Sequence, residues 1–119
     1  MTAELAIALG AVLGAPSRYL VDVGLRARFG NRLPWGTLAV NLSGSAAAGF
    51  VTGLRTGGLV TALLVVGFLG AFTTASTLVA ELGERARSGW RPAADLLALH
   101  VGPGLLLAWS GLALGRALH

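Results

Sequence analysis

The stretch Thr56-Gly-Gly-Leu-Val-Thr-Ala-Leu-Leu-Val-Val-Gly-Phe-Leu-Gly-Ala-Phe-Thr-Thr-Ala-Ser-Thr-Leu-Val-Ala80 contains no Asp, Glu, Lys or Arg. A helix rises about 1.5 Å per residue and needs about 20 apolar residues to cross the hydrocarbon core, so this stretch reads as a membrane span. On either side of it, residues 33–54 and 96–115 are also free of charge. The first apolar run, residues 5–17, is uncharged too, and Arg18 and Asp22 then interrupt the chain before Arg26. The reading is an all-α integral membrane fold of four transmembrane helices, over residues 3–25, 34–54, 58–83 and 92–116, in one domain covering 1–119.

Composition agrees. Of the 119 residues, 55% are hydrophobic and 12% charged, whereas a soluble domain carries about 25% charged residues. Too few charges are present to cover a water-facing surface. The N-terminal run does not read as a signal peptide, because its first charge is Glu4 and no basic residue precedes the apolar stretch. Cysteine is absent, which excludes disulfides, thiolate metal sites and Cys nucleophiles. All nine basic residues are Arg, for a net charge of +4. They cluster at span ends, so membrane topology explains them and no nucleic-acid partner is expected. No Ser/His/Asp set, phosphate loop or paired catalytic carboxylates stand out, and an enzyme is not expected.

The links between spans are short. With four spans, the first and third links share one side of the membrane and carry Arg26, Arg28, Arg32, Arg85, Arg87 and Arg91. The other side carries Arg55 and Arg116. The positive-inside rule then predicts one fixed orientation with both termini outside. Pro34 and Pro92 fit the first turns of the second and fourth helices, and Trp35 and Trp90 fit the interface beside them. Gly10/Gly14, Gly49/Gly53 and Gly111/Gly115 are GxxxG pairs, and Ser43, Ala47 and Val51 follow a similar stripe. Such faces let backbones approach closely in lipid, either inside one bundle or at a dimer seam.

Chemistry concentrates in the third span. Thr73, Thr74, Ser76 and Thr77 form a hydroxyl run after Gly67 and Gly70, two residues that loosen a helix. A break there would free carbonyls for a cation and N–H groups for an anion. The plainer alternative is hydroxyls bonding back to their own helix. Asn41 in the second span needs a partner, either another helix or an anion met by its NH₂ group. Arg18 and Asp22 stand four apart and can pair, although Arg18 could instead snorkel to the interface. His100 could titrate or line a water path, and Pro103 should kink the fourth helix.

Four segments resemble the bacterial CrcB/Fluc family of fluoride channels over nearly the whole chain. They are Gly14-Ala-Pro-Ser-Arg-Tyr19, Pro34-Trp-Gly-Thr-Leu-Ala-Val-Asn-Leu-Ser-Gly44, Gly67 to Thr77 with Glu81, and Gly111-Leu-Ala-Leu-Gly-Arg116. The resemblance implies a four-helix subunit, with the third helix broken near the bilayer midplane, working as an antiparallel dimer with two anion pores. It implies a fluoride-selective channel in the bacterial plasma membrane that lowers cytoplasmic fluoride passively. It also implies a structural Na⁺ at the dimer centre, held by the backbone carbonyls of Gly70 and Thr73. The anion path would take Asn41, Thr74, Ser76, Thr77 and Arg18, with Phe72 as a partial substitute for missing rings. Fluoride and membrane lipid are the implied partners.

The chain departs from that family pattern at Ala75 and Leu78, where the family has Phe, and at Leu96 and His100, where it has Tyr and Ser. The missing rings and the six-to-two Arg bias both fit one half of an antiparallel heterodimer with a paralogue, as against a homodimer. Two other readings are a non-conducting assembly subunit and a small multidrug exporter. The exporter needs a carboxylate deep in the first span. Glu4 lies near the terminus, and Asp22 has Arg18 within reach.

Overall fold

The computed structural model describes residues Met1–His119 and is entirely helical. Helix α1 is Ala3–Phe29 and α2 is Trp35–Gly53. Helix α3 covers residues 58–72, opening with an α turn at Gly58–Thr61, widening into a π-helical stretch at Ala62–Leu69 and closing at Gly70–Phe72. After two extended residues, α4 runs Ala75–Ala86, and α5 runs Trp90–Leu118. The helices extend past the charge-free runs because the Arg-rich flanks continue the same ladders.

Three segments are long and apolar enough to cross a membrane: Ala3–Phe29, Gly58–Ala86 and Trp90–Leu118. Helix α2 is shorter, at 19 residues. Asn41, its Ser and Thr residues and its glycines also make it less apolar.

Packing is inverted relative to a water-soluble protein. Only 16 of 119 residues are buried, and the five hydrophobic ones among them are Ala6, Val40, Ala62, Leu69 and Leu96. Leu20, Leu105 and Trp109 meanwhile stand 67%, 68% and 71% exposed. So much outward apolar surface is tolerable only where the surroundings are themselves apolar.

Small residues account for the interior. A Cβ on Gly10 would collide with the Leu63 carbonyl, and one on Gly14 with the Phe68 carbonyl, so this GxxxG pair packs α1 on α3. Gly49 and Gly53 meet the Ala108 and Leu112 carbonyls, and Gly111 and Gly115 meet those of Ala46 and Phe50, which locks α2 to α5. All three GxxxG pairs therefore serve contacts within one chain. The exposed Ser43 lies off these seams.

Helix α5 runs unbroken through Pro103, as α1 does through Pro16. Trp35 lies against Phe29, with ring centroids 5.8 Å apart, and the Arg91 guanidinium sits 5.5 Å over the exposed Trp90 ring. Arg85 Nη2 donates to Arg32 O at 3.4 Å, which joins the first and third links at one end of the bundle.

Candidate functional site

The polar centre is the break between α3 and α4. Thr73 (φ −78°, ψ 161°) and Thr74 (φ −146°, ψ 121°) are extended, so the helical ladder stops at Phe72 and restarts at Ala75. The chain stops at the hydroxyl residues rather than at Gly67 or Gly70. Gly67 instead fits against Ile7 and Gly10 of α1. Thr73 Oγ1 donates back to Leu69 O at 2.9 Å, as a hydroxyl in a helix ordinarily does. Thr74 behaves differently, because its Oγ1 accepts from Thr77 N at 3.2 Å and caps α4. A cap of this kind contributes about 1 kcal/mol.

Two helices converge on the two extended residues. From α2, Asn41 Nδ2 donates to Thr74 O at 3.0 Å and Asn41 Oδ1 accepts from Thr74 N at 2.8 Å. One amide side chain thus satisfies both backbone groups of a residue that is 8% exposed. From α1, Arg18 Nη1 donates to Thr73 O at 3.3 Å. Gly44 lets α2 come close, since a Cβ there would strike the Thr73 methyl group. The expected pairing of Arg18 with Asp22 is not made. Asp22 Oδ2 bonds Arg26 Nη2 at 2.8 Å. Both arginines lie four residues from Asp22, and the freed carbonyl of Thr73 draws Arg18 inward.

Two clefts adjoin this centre, and a third opens beyond one of them. A vestibule of about 520 Å³ at the end of the first and third links is lined by Asp22, Arg26, Arg32, Glu81, Glu84 and Arg85, among others. A cleft of about 150 Å³ shares Asp22 and Gly36 with it and runs past Arg18 and Thr37 to Thr77 and Thr74. A groove of about 280 Å³ also begins at Thr74 and holds Asn41, Ser45, Ala75, Leu78 and His100. Polar side chains therefore succeed one another from the vestibule to His100 on α5, with Thr74 lining both inner clefts.

Most of the residues singled out in the sequence meet here. Arg18, Asn41, Thr73, Thr74 and Thr77 share the break. Ser76 is exposed, with its Oγ 3.4 Å from Thr74 Oγ1. Phe72 is stacked on Phe68, with centroids 5.7 Å apart, and does not line the groove that holds Ala75 and Leu78. Leu96 is 3% exposed and belongs to the core, while His100 faces the groove. One contributor, Thr37, was not singled out, and its partner is the Glu81 of the third-span motif. Thr37 Oγ1 donates to Glu81 Oε1 at 2.7 Å, and Glu81 Oε2 is buried with no partner. Thr37 and Ser45 stand four residues before and after Asn41, so their common helix face could have marked them.

The carbonyls of Gly70 and Thr73 are donors of the kind that a hard cation takes. Thr74 N–H turns to Asn41, so it does not make the α-helical bond that Gly70 O would otherwise accept. Thr73 O accepts only from Arg18. Oxygen donors of this type favour alkali and alkaline-earth ions, and the guanidinium already at Thr73 O is itself a cation.

Comparison with known proteins gives a consistent result. The family model described as CrcB-like protein, Camphor Resistance (CrcB) matches residues 5–112. A Symbiobacterium thermophilum protein named Fluoride-specific ion channel FluC 1 is 47% identical over 116 residues, covering 92% of this chain and 94% of that protein. Proteins named Fluoride-specific ion channel FluC from Rhodospirillum centenum and Chloroflexus aurantiacus are 41% and 40% identical. They cover 96% and 94% of this chain, and 92% and 94% of their own lengths.

Proposed function

We propose, from the premise that this chain belongs to the CrcB family, that it is a subunit of a fluoride-selective channel which lets cytoplasmic fluoride leave passively. The chain is a multi-pass bacterial membrane protein of a channel family, not an enzyme. The observation that carries the reading is the Thr73–Thr74 break, braced by Asn41 and Arg18 at the meeting point of the two inner clefts. Fluoride is small and holds its water tightly, so a path for it must offer replacement donors at short range. Asn41 keeps a second amide hydrogen. Ser76 and Thr77 offer hydroxyls beside Thr74, whose own hydroxyl donates to Thr77 Oγ1 at 3.1 Å, and Arg18 gives the cleft a positive lining.

In this reading α2 is the fourth crossing, and the break lies near the midplane within one four-helix domain. Two subunits pair antiparallel, with lipid against the outward Leu and Trp side chains. The backbone carbonyls of Gly70 and Thr73 from both subunits hold a structural Na⁺, which neutralises crowded carbonyl dipoles at the centre. The six-to-two Arg bias across the two ends supports a single orientation, and hence an oppositely inserted paralogue as the partner rather than a second identical copy.

A specific observation favours a second reading, an assembly subunit whose own groove does not conduct. Ala75 and Leu78 bring no aromatic edge to the groove. The multidrug-exporter reading loses its acid, because Asp22 is tied to Arg26 and Glu4 lies exposed on the first turn of α1.

The test is growth of a fluoride-sensitive bacterium that lacks its own exporter. Expression of this chain with an oppositely oriented partner should restore growth in fluoride. Unchanged sensitivity, with both chains in the membrane, would refute the channel reading.

A further inference from the structure

His100 is 7% exposed, and its ring is held from one side. Nδ1 lies 3.1 Å from Leu96 O. A carbonyl can only accept, so Nδ1 carries the hydrogen and the neutral ring presents a bare lone pair at Nε2. That atom is buried and has no hydrogen-bond partner. An unsatisfied buried acceptor is costly, and the residue that bears it lines the groove with Asn41, Ser45, Thr73, Thr74, Ala75 and Leu78. Ala75 and Leu78 supply no donor. The Ser45 hydroxyl is spent on Asn41 O at 2.8 Å. Asn41 gives one amide hydrogen to Thr74 O, which leaves the other.

We infer that His100 and Asn41 form a subsite that binds fluoride together with one proton. A bare fluoride ion would be repelled by the Nε2 lone pair. When Nε2 takes a proton, the same atom becomes a donor, and fluoride accepts from it and from the second Asn41 hydrogen. The event balances whether the proton comes from hydronium, which leaves as water, or arrives as hydrogen fluoride, which leaves fluoride at the site: one N–H bond forms, one O–H or F–H bond breaks, and nothing is oxidised or reduced. The imidazolium–fluoride pair is neutral overall, which suits a groove between membrane helices. His100 thereby supplies a donor that Ala75 and Leu78 do not.

Little else near the ring carries charge. Helix α2, the main partner of α5, has no ionisable residue over Trp35–Gly53. Helix α4 carries Glu81, bonded to Thr37, and Glu84 and Arg85, which line the vestibule. From α1, Arg18 is committed to Thr73 O. On α5 itself, Arg91 and Asp95 are exposed and lie toward the N-terminal end. The ring has no hydrogen bond to any of these groups, nor to Gly70 or Thr73.

This inference rests on the fluoride reading for its ligand, and its test can fail separately. The full chain, ¹⁵N-labelled at histidine and carrying His119→Gln so that one ring remains, is placed in nanodiscs and titrated with acid in sodium fluoride and in sodium chloride. Fluoride should raise the His100 midpoint relative to chloride. By linkage, fluoride affinity measured calorimetrically should fall about tenfold per pH unit above that midpoint, and the fall should vanish in His100→Gln and His100→Ser. Equal midpoints in the two salts, or a Gln variant that keeps the wild-type pH dependence, would overturn the proposal. Fluoride efflux with equal midpoints would sink this subsite alone. A shifted midpoint in a chain that never conducts would keep the site and sink the channel reading.

Discussion

Replacing Asn41 by Ala removes two hydrogen bonds at once, the 3.0 Å bond to Thr74 O and the 2.8 Å bond from Thr74 N. Thr74 is 8% exposed, so water has little access to the orphaned groups. Each unsatisfied backbone group costs about 1–3 kcal/mol, which gives about 2–6 kcal/mol for the pair. The graded control is Asn41→Asp, which keeps the acceptor for Thr74 N–H and loses the donor to Thr74 O. It should fall between wild type and Ala in stability, and its added negative charge should suppress anion passage. The assay is reversible unfolding of the purified chain in mild detergent titrated with a denaturing detergent, followed by helical circular dichroism. An Asn41→Ala chain that unfolds within about 0.5 kcal/mol of wild type, a difference typical of surface substitutions, would refute the view that one amide holds the break together.

Glycine substitutions should divide sharply by position. Gly49→Ala drives a methyl group into the Ala108 carbonyl and should cost about 2 kcal/mol or more, while Gly24→Ala and Gly83→Ala, with open space around them, should gain about 0.5–1 kcal/mol in the same unfolding assay. Thr37→Val leaves Glu81 Oε1 without its donor and should cost about 1–3 kcal/mol, whereas Thr37→Ser should stay near wild type. Ala75→Phe combined with Leu78→Phe restores aromatic edges to the groove and should raise fluoride flux in reconstituted vesicles. No gain from a well-folded double variant would favour the assembly-subunit reading.

The helices are legible in the sequence because a run of about 20 residues without charge leaves a helix no polar side to turn to water. Their ends are not, because Arg26, Arg28 and Arg85 continue a helix as readily as they leave one. The break is legible in kind from the run Thr73 to Thr77, but its position depends on Asn41 reaching Thr74 across 33 positions of sequence. Local propensity carries no record of such a contact. The partner of Arg18 is hidden for the same reason: spacing offers Asp22, and only tertiary packing brings Thr73 O within 3.3 Å. Spacing identifies the GxxxG faces as close-packing surfaces. It does not say that α1 meets α3 and α2 meets α5. Thr37 and Glu81 lie 44 positions apart, so their pairing is visible only in the folded chain.

The most direct test of the channel reading is ion efflux from liposomes holding dimers of this chain. The dimers would be purified from cells that also express a copy whose loop-charge bias has been inverted. The account predicts fluoride release far above protein-free vesicles while chloride is retained. Well-folded dimers that release no fluoride, or that release chloride equally fast, would contradict it.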